Sequence, residues 1–317
     1  MNMVMNRIVE ITGTRYPFIL GPMRLITLGE MAAAVSNSGG FGQIAASGLS
    51  SDRLLLEIKK ARDLTDQPFG INIPIYRPNA FEALEIAIDA GIKTITTSAG
   101  NPAKLIERIK EAGLKVLHKV SSVEMALKSQ SCGVDGVIAT GFEAGGHVGR
   151  QGTTTMCLVP QLADALKIPI VVAGGIADAR GLVAVFALGA EGVELGTRFI
   201  ATHECPTPDF YKQLVVRADS DATILLGKDA MPMRVLKNLA VEMIQNPDKT
   251  IEDKHLNSKN AEAVYIQSGG DADTAIMPSG QIAGLIKQIE SIGNIFPELM
   301  KGAILLTQQL KSTFGGE

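Results

Sequence analysis

The chain has 317 residues, a length that suits one α/β barrel of about 250 residues with an added segment. Its net charge of −3 offers no basic surface to nucleic acid or to an anionic membrane, and three scattered cysteines and four separated histidines predict neither a disulfide framework nor a metal site. Because the sequence has neither an apolar run of about 18 residues nor the apolar core of a signal peptide near its start, we expect a cytoplasmic protein.

Short apolar runs rich in β-branched residues recur along the first part of the chain. Most are separated by stretches with helical spacing of apolar residues, which indicates buried parallel strands joined by helices. Eight such units favour a closed (β/α)8 barrel, or TIM barrel, over an open sheet of about five or six strands. The runs are residues 18–20, 42–46, 69–73, 94–97, 115–120, 136–140, 170–173 and 192–195. The clearest helical stretches are 81–90, 102–112, 123–129 and 179–188.

The pattern changes after the last of these strands, so we assign residues 1–200 to the barrel. Residues 201–275 are polar, contain several prolines and have no clear strand series, which predicts a helical subdomain that caps the barrel mouth. Within it, the charged stretch 250–263 predicts a solvated helix or loop. Residues 276–317 predict two amphipathic helices that pack back against the barrel, and their exposed apolar residues make a homodimer an expected state.

Two glycine-containing pairs follow the last two predicted barrel strands. Gly174-Gly175 precede a helix that begins near Asp178, and Gly196-Thr197 follow "GVEL". The loops after strands seven and eight form the common phosphate site of such barrels, because bare backbone N–H groups and a helix dipole attract an anion. The alternative is that these glycines only make tight turns. The occurrence of a pair in each of the two loops favours phosphate.

A glycine-rich loop, residues 141–152, follows the sixth predicted strand. Gly145 and Gly146 precede His147 and leave its imidazole accessible to a planar ligand. Because imidazole titrates near neutrality and this end of a barrel carries the chemistry, His147 is the predicted catalytic base, with a purely structural histidine as the alternative. Glu143 is either a partner of this histidine or a helix N-cap.

Two further strand ends carry side chains suited to a planar ring. Asn72 offers an amide that both donates and accepts hydrogen bonds at the edge of an isoalloxazine or of a substrate. Lys119 offers a positive charge for the N1–C2 carbonyl edge of a reduced flavin, and a lysine that extends to solvent is the alternative. His118 alternates with Lys119 along the strand, so we expect it to face away from the barrel interior and to be structural.

Several motifs resemble those of the nitronate monooxygenase family, formerly called 2-nitropropane dioxygenases, and of the related FMN-dependent enoyl-ACP reductases and NADH:quinone reductases. The most specific are "GFEAGGHVG", "PIVVAGGIADARG" and "ALGAEGVELGTRFIATHEC". The resemblance extends from "ILGPM" at 19–23 to "MPSGQIAGLI" at 277–286. It implies an FMN-binding TIM barrel, in agreement with the features above.

By position, the resemblance identifies His147 as the catalytic histidine. The cofactor-binding residues that it and the loops imply are Gly21, Pro22, Met23, Asn72, Lys119, Gly145, Gly146, Gly174, Gly175, Gly196, Thr197 and Gln281.

The resemblance implies an FMN-dependent oxidoreductase with a small-molecule substrate. Three functions are considered. The first is oxidation of alkyl nitronates by O2, with His147 as the base. The second is reduction of a quinone or an enoyl thioester, with NAD(P)H as co-substrate. Val148, "HKVSS" at 118–122 and "MPSGQIAGLI" are closer to these reductase branches. The third is a barrel that binds FMN or another phosphate ligand without turnover.

Overall fold

In a computed structural model, which describes residues 6–227, 231–245 and 271–315, strands and helices alternate along the chain. The strands are β1 (Phe18–Leu20), β2 (Gly42–Ala45), β3 (Phe69–Pro74), β4 (Thr94–Ser98), β5 (Lys115–Val120), β6 (Gly136–Thr140), β7 (Gly146–His147), β8 (Ile170–Ala173), β9 (Gly192–Leu195), β10 (Thr223–Leu226) and β11 (Met233–Leu236). The helices are α1 (Arg7–Thr12), α2 (Gly29–Asn37), α3 (Ser51–Leu64), α4 (Ala80–Asp89), α5 (Ile106–Glu111), α6 (Val123–Cys132), α7 (Thr155–Ala165), α8 (Ala179–Ala187), α9 (Thr197–Ile200), α10 (Asp209–Val216), α11 (Leu239–Gln245) and α12 (Ile292–Thr313).

Eight parallel strands form one sheet in the order β1-β9-β8-β6-β5-β4-β3-β2. Phe41 closes this sheet, because its backbone N donates to Phe18 O at 2.8 Å and its O accepts from Leu20 N at 3.0 Å. The contact joins β1 to the residue before β2, and the predicted (β/α)8 barrel is thereby confirmed. Each predicted barrel strand agrees with the observed one to within one residue at either end.

An apolar cluster fills the lower and middle part of the barrel, and α1 covers the end at which the strands begin. Asn6 caps α1 by accepting from Ile8 N and Val9 N, each at 3.0 Å. Thr94, the first residue of β4, donates to Ile11 O at 2.6 Å and so fixes α1 across the barrel. The apolar cluster comprises Ile8, Ile19, Phe41, Leu117, Ile138, Val171 and Ala173. Polar chemistry is therefore left to the opposite end of the barrel.

The prediction that residues 201–275 form a helical subdomain is only partly right. The described part has α10 and α11, but also the antiparallel strands β10 and β11. In turn, β11 pairs with β7, which places Met233 opposite His147 and Arg234 opposite Gly146. The sequence does not reveal these strands because each has only four residues and β11 finds its second partner in a distant loop. The stretch 250–263 lies outside the described residues.

The returning segment has one long helix where two were predicted. Residues 281–285 form a 3-10 turn. The turn packs closely on the backbone at Asp219, because a side chain at Gly284 would lie 2.6 Å from Asp219 O. The long helix α12 packs against α8 and α2. Its Phe296 is fully buried, with ring centroids 5.1 Å from Phe18 and 5.9 Å from Phe199. Among the helices of the described ranges, none combines the length and the hydropathy needed to span a bilayer.

His118 lies on the outer face of β5, away from the barrel interior, as expected. Its Nδ1 is 2.8 Å from Oγ1 of Thr97 on the neighbouring strand, and only 1% of its surface is exposed. Burial lowers the pKa of the imidazole to about 4, although a hydrogen bond with the Gly100 backbone opposes this effect. His118 is therefore a neutral, structural residue at pH 7.

We expect His118 to make the fold acid-sensitive. Because its pKa falls from 6.5 to about 4 on folding, its contribution to stability is complete above pH 6.5 and is lost as the pH falls toward 4. Between pH 7 and pH 5 this amounts to about 2 kcal/mol of the free energy of unfolding. Urea unfolding at both pH values should show this loss in the wild type and a smaller one in His118→Gln. His203→Gln, which alters an exposed histidine, is the control. Equal losses in the wild type and His118→Gln would contradict the assignment.

Candidate functional site

The turn after β8 requires glycine at two successive positions. Gly174 and Gly175 have φ angles of +97° and +85°, in the left-handed region that other residues disfavour. A side chain at Gly174 would also lie 2.9 Å from Ala144 N, whereas one at Gly175 would have an ordinary contact of 3.6 Å with Thr155 Oγ1. The turn thus brings the loop after β6 against the end of β8.

Open space lies over the end of β9. A Cβ added at Gly196 would meet only Met23 Sδ, at 3.9 Å. Gly21 closes the other side, since its N donates to Leu195 O at 2.7 Å and a side chain there would lie 3.1 Å from the same oxygen. Gly21 and Met23 therefore border the gap, with Pro22 between them in the chain. Such a gap beside backbone N–H groups fits the predicted phosphate cradle.

Thr197 and Gly145 hold the returning segment in place. The Thr197 hydroxyl accepts from Gly280 N at 2.9 Å, so this side chain is already engaged. A side chain at Gly145 would lie 2.6 Å from Gly280 N, and the exposed Gln281 donates from its backbone N to Glu143 O at 2.9 Å. The structure thus explains the glycine at 145 by close backbone packing. The Thr197 hydroxyl still has its hydrogen to donate, so its contact with a cofactor stays a prediction.

Glu143 caps a helix, which is one of the two roles left open by the sequence. Its two carboxylate oxygens accept from Thr155 N at 3.0 and 2.9 Å, at the first residue of α7. Thr155 Oγ1 lies 3.0 Å from Glu143 Oε2 and 3.0 Å from Gly174 O. One threonine therefore fastens the loop after β6 to the turn after β8.

His147 is exposed on β7, a strand of two residues. This strand is held by pairing with β11, in the segment that follows the barrel. Gly146 has a φ of +71°, and Val148 N donates to Pro232 O at 3.0 Å. A side chain at Gly149 would lie 2.7 Å from Ser121 Cβ, so the loop crosses the end of β5. The predicted catalytic histidine is thus presented by a held backbone at the C-terminal end of the barrel strands.

Arg234 anchors this arrangement and was not found from the sequence. It is 4% exposed and donates from Nε and Nη2 to Phe142 O at 3.2 and 2.9 Å, with its guanidinium 5.1 Å from the centre of the Phe142 ring. Burial lowers its pKa, while the charge of Glu143 opposes that effect. A lone arginine in the apolar run "MRVL" is the signal that could have identified it.

Inside the barrel, Asn72 belongs to a chain of polar side chains. It is 2% exposed, and its Nδ2 donates to Thr96 Oγ1 at 2.8 Å. Thr96 Oγ1 donates to Gln43 Oε1 at 2.5 Å, and Gln43 Nε2 donates to Leu20 O at 2.5 Å. Asn72 thus lies at the predicted strand end with a fixed amide. Gln43 and Thr96, the other members of this chain, were not predicted as site residues. The period of two along their strands, which places both on the inward face, is the signal that was available.

Lys119 forms an ion pair with Glu194 of β9, so it does not simply extend to solvent. Glu194 is 5% exposed, and its burial raises the pKa of its carboxyl, while Lys119 and the Gln43 amide oppose that rise. Glu194 was not predicted from the sequence as a site residue. A carboxylate at an inward position of an apolar strand is the signal that was available.

The comparisons with known proteins agree with this geometry. The family model for nitronate monooxygenase matches residues 5–302. A probable nitronate monooxygenase of Staphylococcus saprophyticus is 32% identical over 90% of this chain and 94% of its own. A (3aS,4S,5R,7aS)-5-hydroxy-7a-methyl-1-oxo-octahydro-1H-indene-4-carboxyl-CoA dehydrogenase of Mycobacterium tuberculosis is 34% identical over 75% of this chain and 68% of its own. The structure of FabK from Thermotoga maritima is 33% identical, with a TM-score of 0.89 over 98% of this chain and all of that one. The chain belongs to the nitronate monooxygenase family and is a flavin-dependent oxidoreductase.

Proposed function

We propose that the chain binds FMN at the barrel mouth and oxidises alkyl nitronates with O2, with His147 as the catalytic base. The phosphate would lie at the turn of Gly174 and Gly175 and in the gap over Gly196. The observation that carries the proposal is that one loop joins both parts of the site. Ala144 of this loop packs against Gly174, and three residues later the same loop presents the exposed His147.

The chemistry that bound FMN would supply is electron transfer: electrons from the nitronate would pass to the flavin and then to O2. The chain itself would bind the phosphate through backbone N–H groups at the ends of β8 and β9. Lys119 would place a positive charge at the N1–C2 carbonyl edge of the ring. A ring nitrogen of His147 would take up a substrate proton or stabilise negative charge that develops beside it.

A second candidate is NAD(P)H-dependent reduction of an enoyl thioester or a quinone. The similarity to FabK, an enoyl-ACP reductase, and to a CoA-thioester dehydrogenase supports it. In both candidates FMN and His147 occupy the same positions, and only the hydride source and the acceptor differ. A third candidate, FMN binding without turnover, would leave the braced and exposed His147 without a role.

Anaerobic mixing of the FMN-loaded protein with NADH and then with NADPH distinguishes these candidates. For nitronate oxidation we expect the flavin absorbance near 450 nm to stay unchanged with both nucleotides and a nitronate to be consumed in air. Bleaching by either nucleotide would overturn that choice in favour of the reductase. If neither reaction occurs, FMN binding without turnover is the remaining candidate.

A homodimer and a cytoplasmic location, both expected from the sequence, are part of the same proposal. Exposed apolar side chains on α12, such as Leu305 and Leu310, support the dimer. Sedimentation velocity of the FMN-loaded protein tests it, because a species of one chain at all concentrations would contradict a dimer.

A further inference from the structure

The ion pair between Lys119 and Glu194 spans the interior of the barrel. Lys119 lies on β5 and Glu194 on β9, and the strands β6 and β8 separate the two in the sheet. The pair therefore forms across the lumen rather than between neighbouring strands. Glu194 is two residues before Gly196, so its carboxylate lies beneath the gap at the end of β9.

Besides Lys119, the Gln43 amide also stabilises the ionised carboxylate. Oε1 contacts Lys119 Nζ, whereas Oε2 is buried and makes no hydrogen bond to the residues that the structure describes. A buried carboxylate with one satisfied oxygen is costly, and a buried ion pair contributes little net stability compared with apolar residues. Stability alone therefore does not explain a glutamate at this position.

We infer that Glu194 is a positioning residue that holds the Lys119 ammonium beneath the flavin and partly cancels its charge, so that it lowers the reduction potential of the bound cofactor. This inference depends on the proposed binding of FMN. A reduced flavin carries more negative charge at its N1–C2 edge than an oxidised one, and a nearby cation stabilises the reduced form. Removal of the carboxylate leaves the cation uncompensated and should favour reduction.

The test compares the FMN-loaded wild type with Glu194→Gln, Lys119→Met and the double variant, with the FMN dissociation constant and the midpoint potential as readouts. In Glu194→Gln we expect the affinity for reduced FMN, relative to oxidised FMN, to increase about tenfold, which is about 30 mV for two electrons. Lys119→Met should shift the potential in the opposite direction. In the double variant the glutamine should have no further effect, because without Lys119 burial favours the protonated, neutral form of Glu194, which glutamine resembles.

Asp135→Asn is the control, since Asp135 pairs with Lys110 and Lys115 near the other end of β5 and its loss should leave the potential unchanged. An unchanged potential in Glu194→Gln, or an equal shift with and without Lys119, would overturn the inference while FMN binding stands. A wild type that binds no FMN would overturn the proposed function and this inference together. If Glu194→Gln fails to fold, Glu194→Ala takes its place in the comparison with the wild type and Lys119→Met, and its potential should rise in the same way. An unchanged potential in Glu194→Ala would overturn the inference.

Discussion

Replacement of Gly175 by aspartate is expected to lower the affinity for FMN by at least about a hundredfold. A Cβ at this position meets only ordinary contacts, 3.6 Å from Thr155 Oγ1 and 3.8 Å from Glu143 Oε1, so the backbone can accommodate a side chain apart from its φ of +85°. A new carboxylate would stand next to the proposed phosphate. Two charges about 5 Å apart at an effective dielectric constant of 20 repel each other by about 3 kcal/mol.

Gly175→Asn is the matched control for this prediction. Asparagine and aspartate have nearly the same shape, and both tolerate the left-handed region better than most residues. The strain in the turn is thus equal in both variants, and only the charge differs. Fluorescence titration with FMN should find a much weaker complex for aspartate than for asparagine. Equal affinities would contradict a phosphate site at this turn.

The second large effect is expected at His147. His147→Gln should lower the turnover number by a factor of about 10² to 10⁴, the usual contribution of a general acid–base group. FMN content should not change, because β7 is held by backbone pairing with Met233 and Arg234, which the substitution leaves intact.

Steady-state kinetics with a nitronate, or with NAD(P)H and an enoyl thioester if the reductase reaction is found, checks this prediction. His203→Gln is the control, because His203 is exposed and lies outside the loop after β6. A turnover number for His147→Gln within about threefold of the wild type would remove the catalytic role of this histidine.

The barrel could be predicted from the sequence because its strands carry their own signal. Runs such as "IVVA" at β8 are buried on both faces, so nearly every residue is apolar and the strand can be recognised locally. The pair β10 and β11 has no such signal. These strands have four residues each, and β11 pairs with a two-residue strand in a loop far away in the sequence. Contacts of that kind depend on the finished fold.

The site could be predicted where glycine marks an unusual backbone, and much less where ordinary side chains meet across the barrel. The positive φ angles of Gly174 and Gly175 agree with the expected turn after β8. By contrast, Gly145 accommodates the backbone at Gly280, and this partner enters the site only through the returning segment. Lys119 and Glu194 likewise lie on strands at different sides of the barrel, so their ion pair forms only once the barrel has closed.

Retention of FMN by the purified protein is the decisive test of a flavin site at the barrel mouth. The chain is incubated with excess FMN, passed through a desalting column, and examined by absorbance from 300 to 550 nm, the range of oxidised flavin bands. We expect about one FMN for each chain in the wild type and in Gly175→Asn, with little in Gly175→Asp. A wild type that emerges without flavin would contradict the proposed site and the reaction built on it.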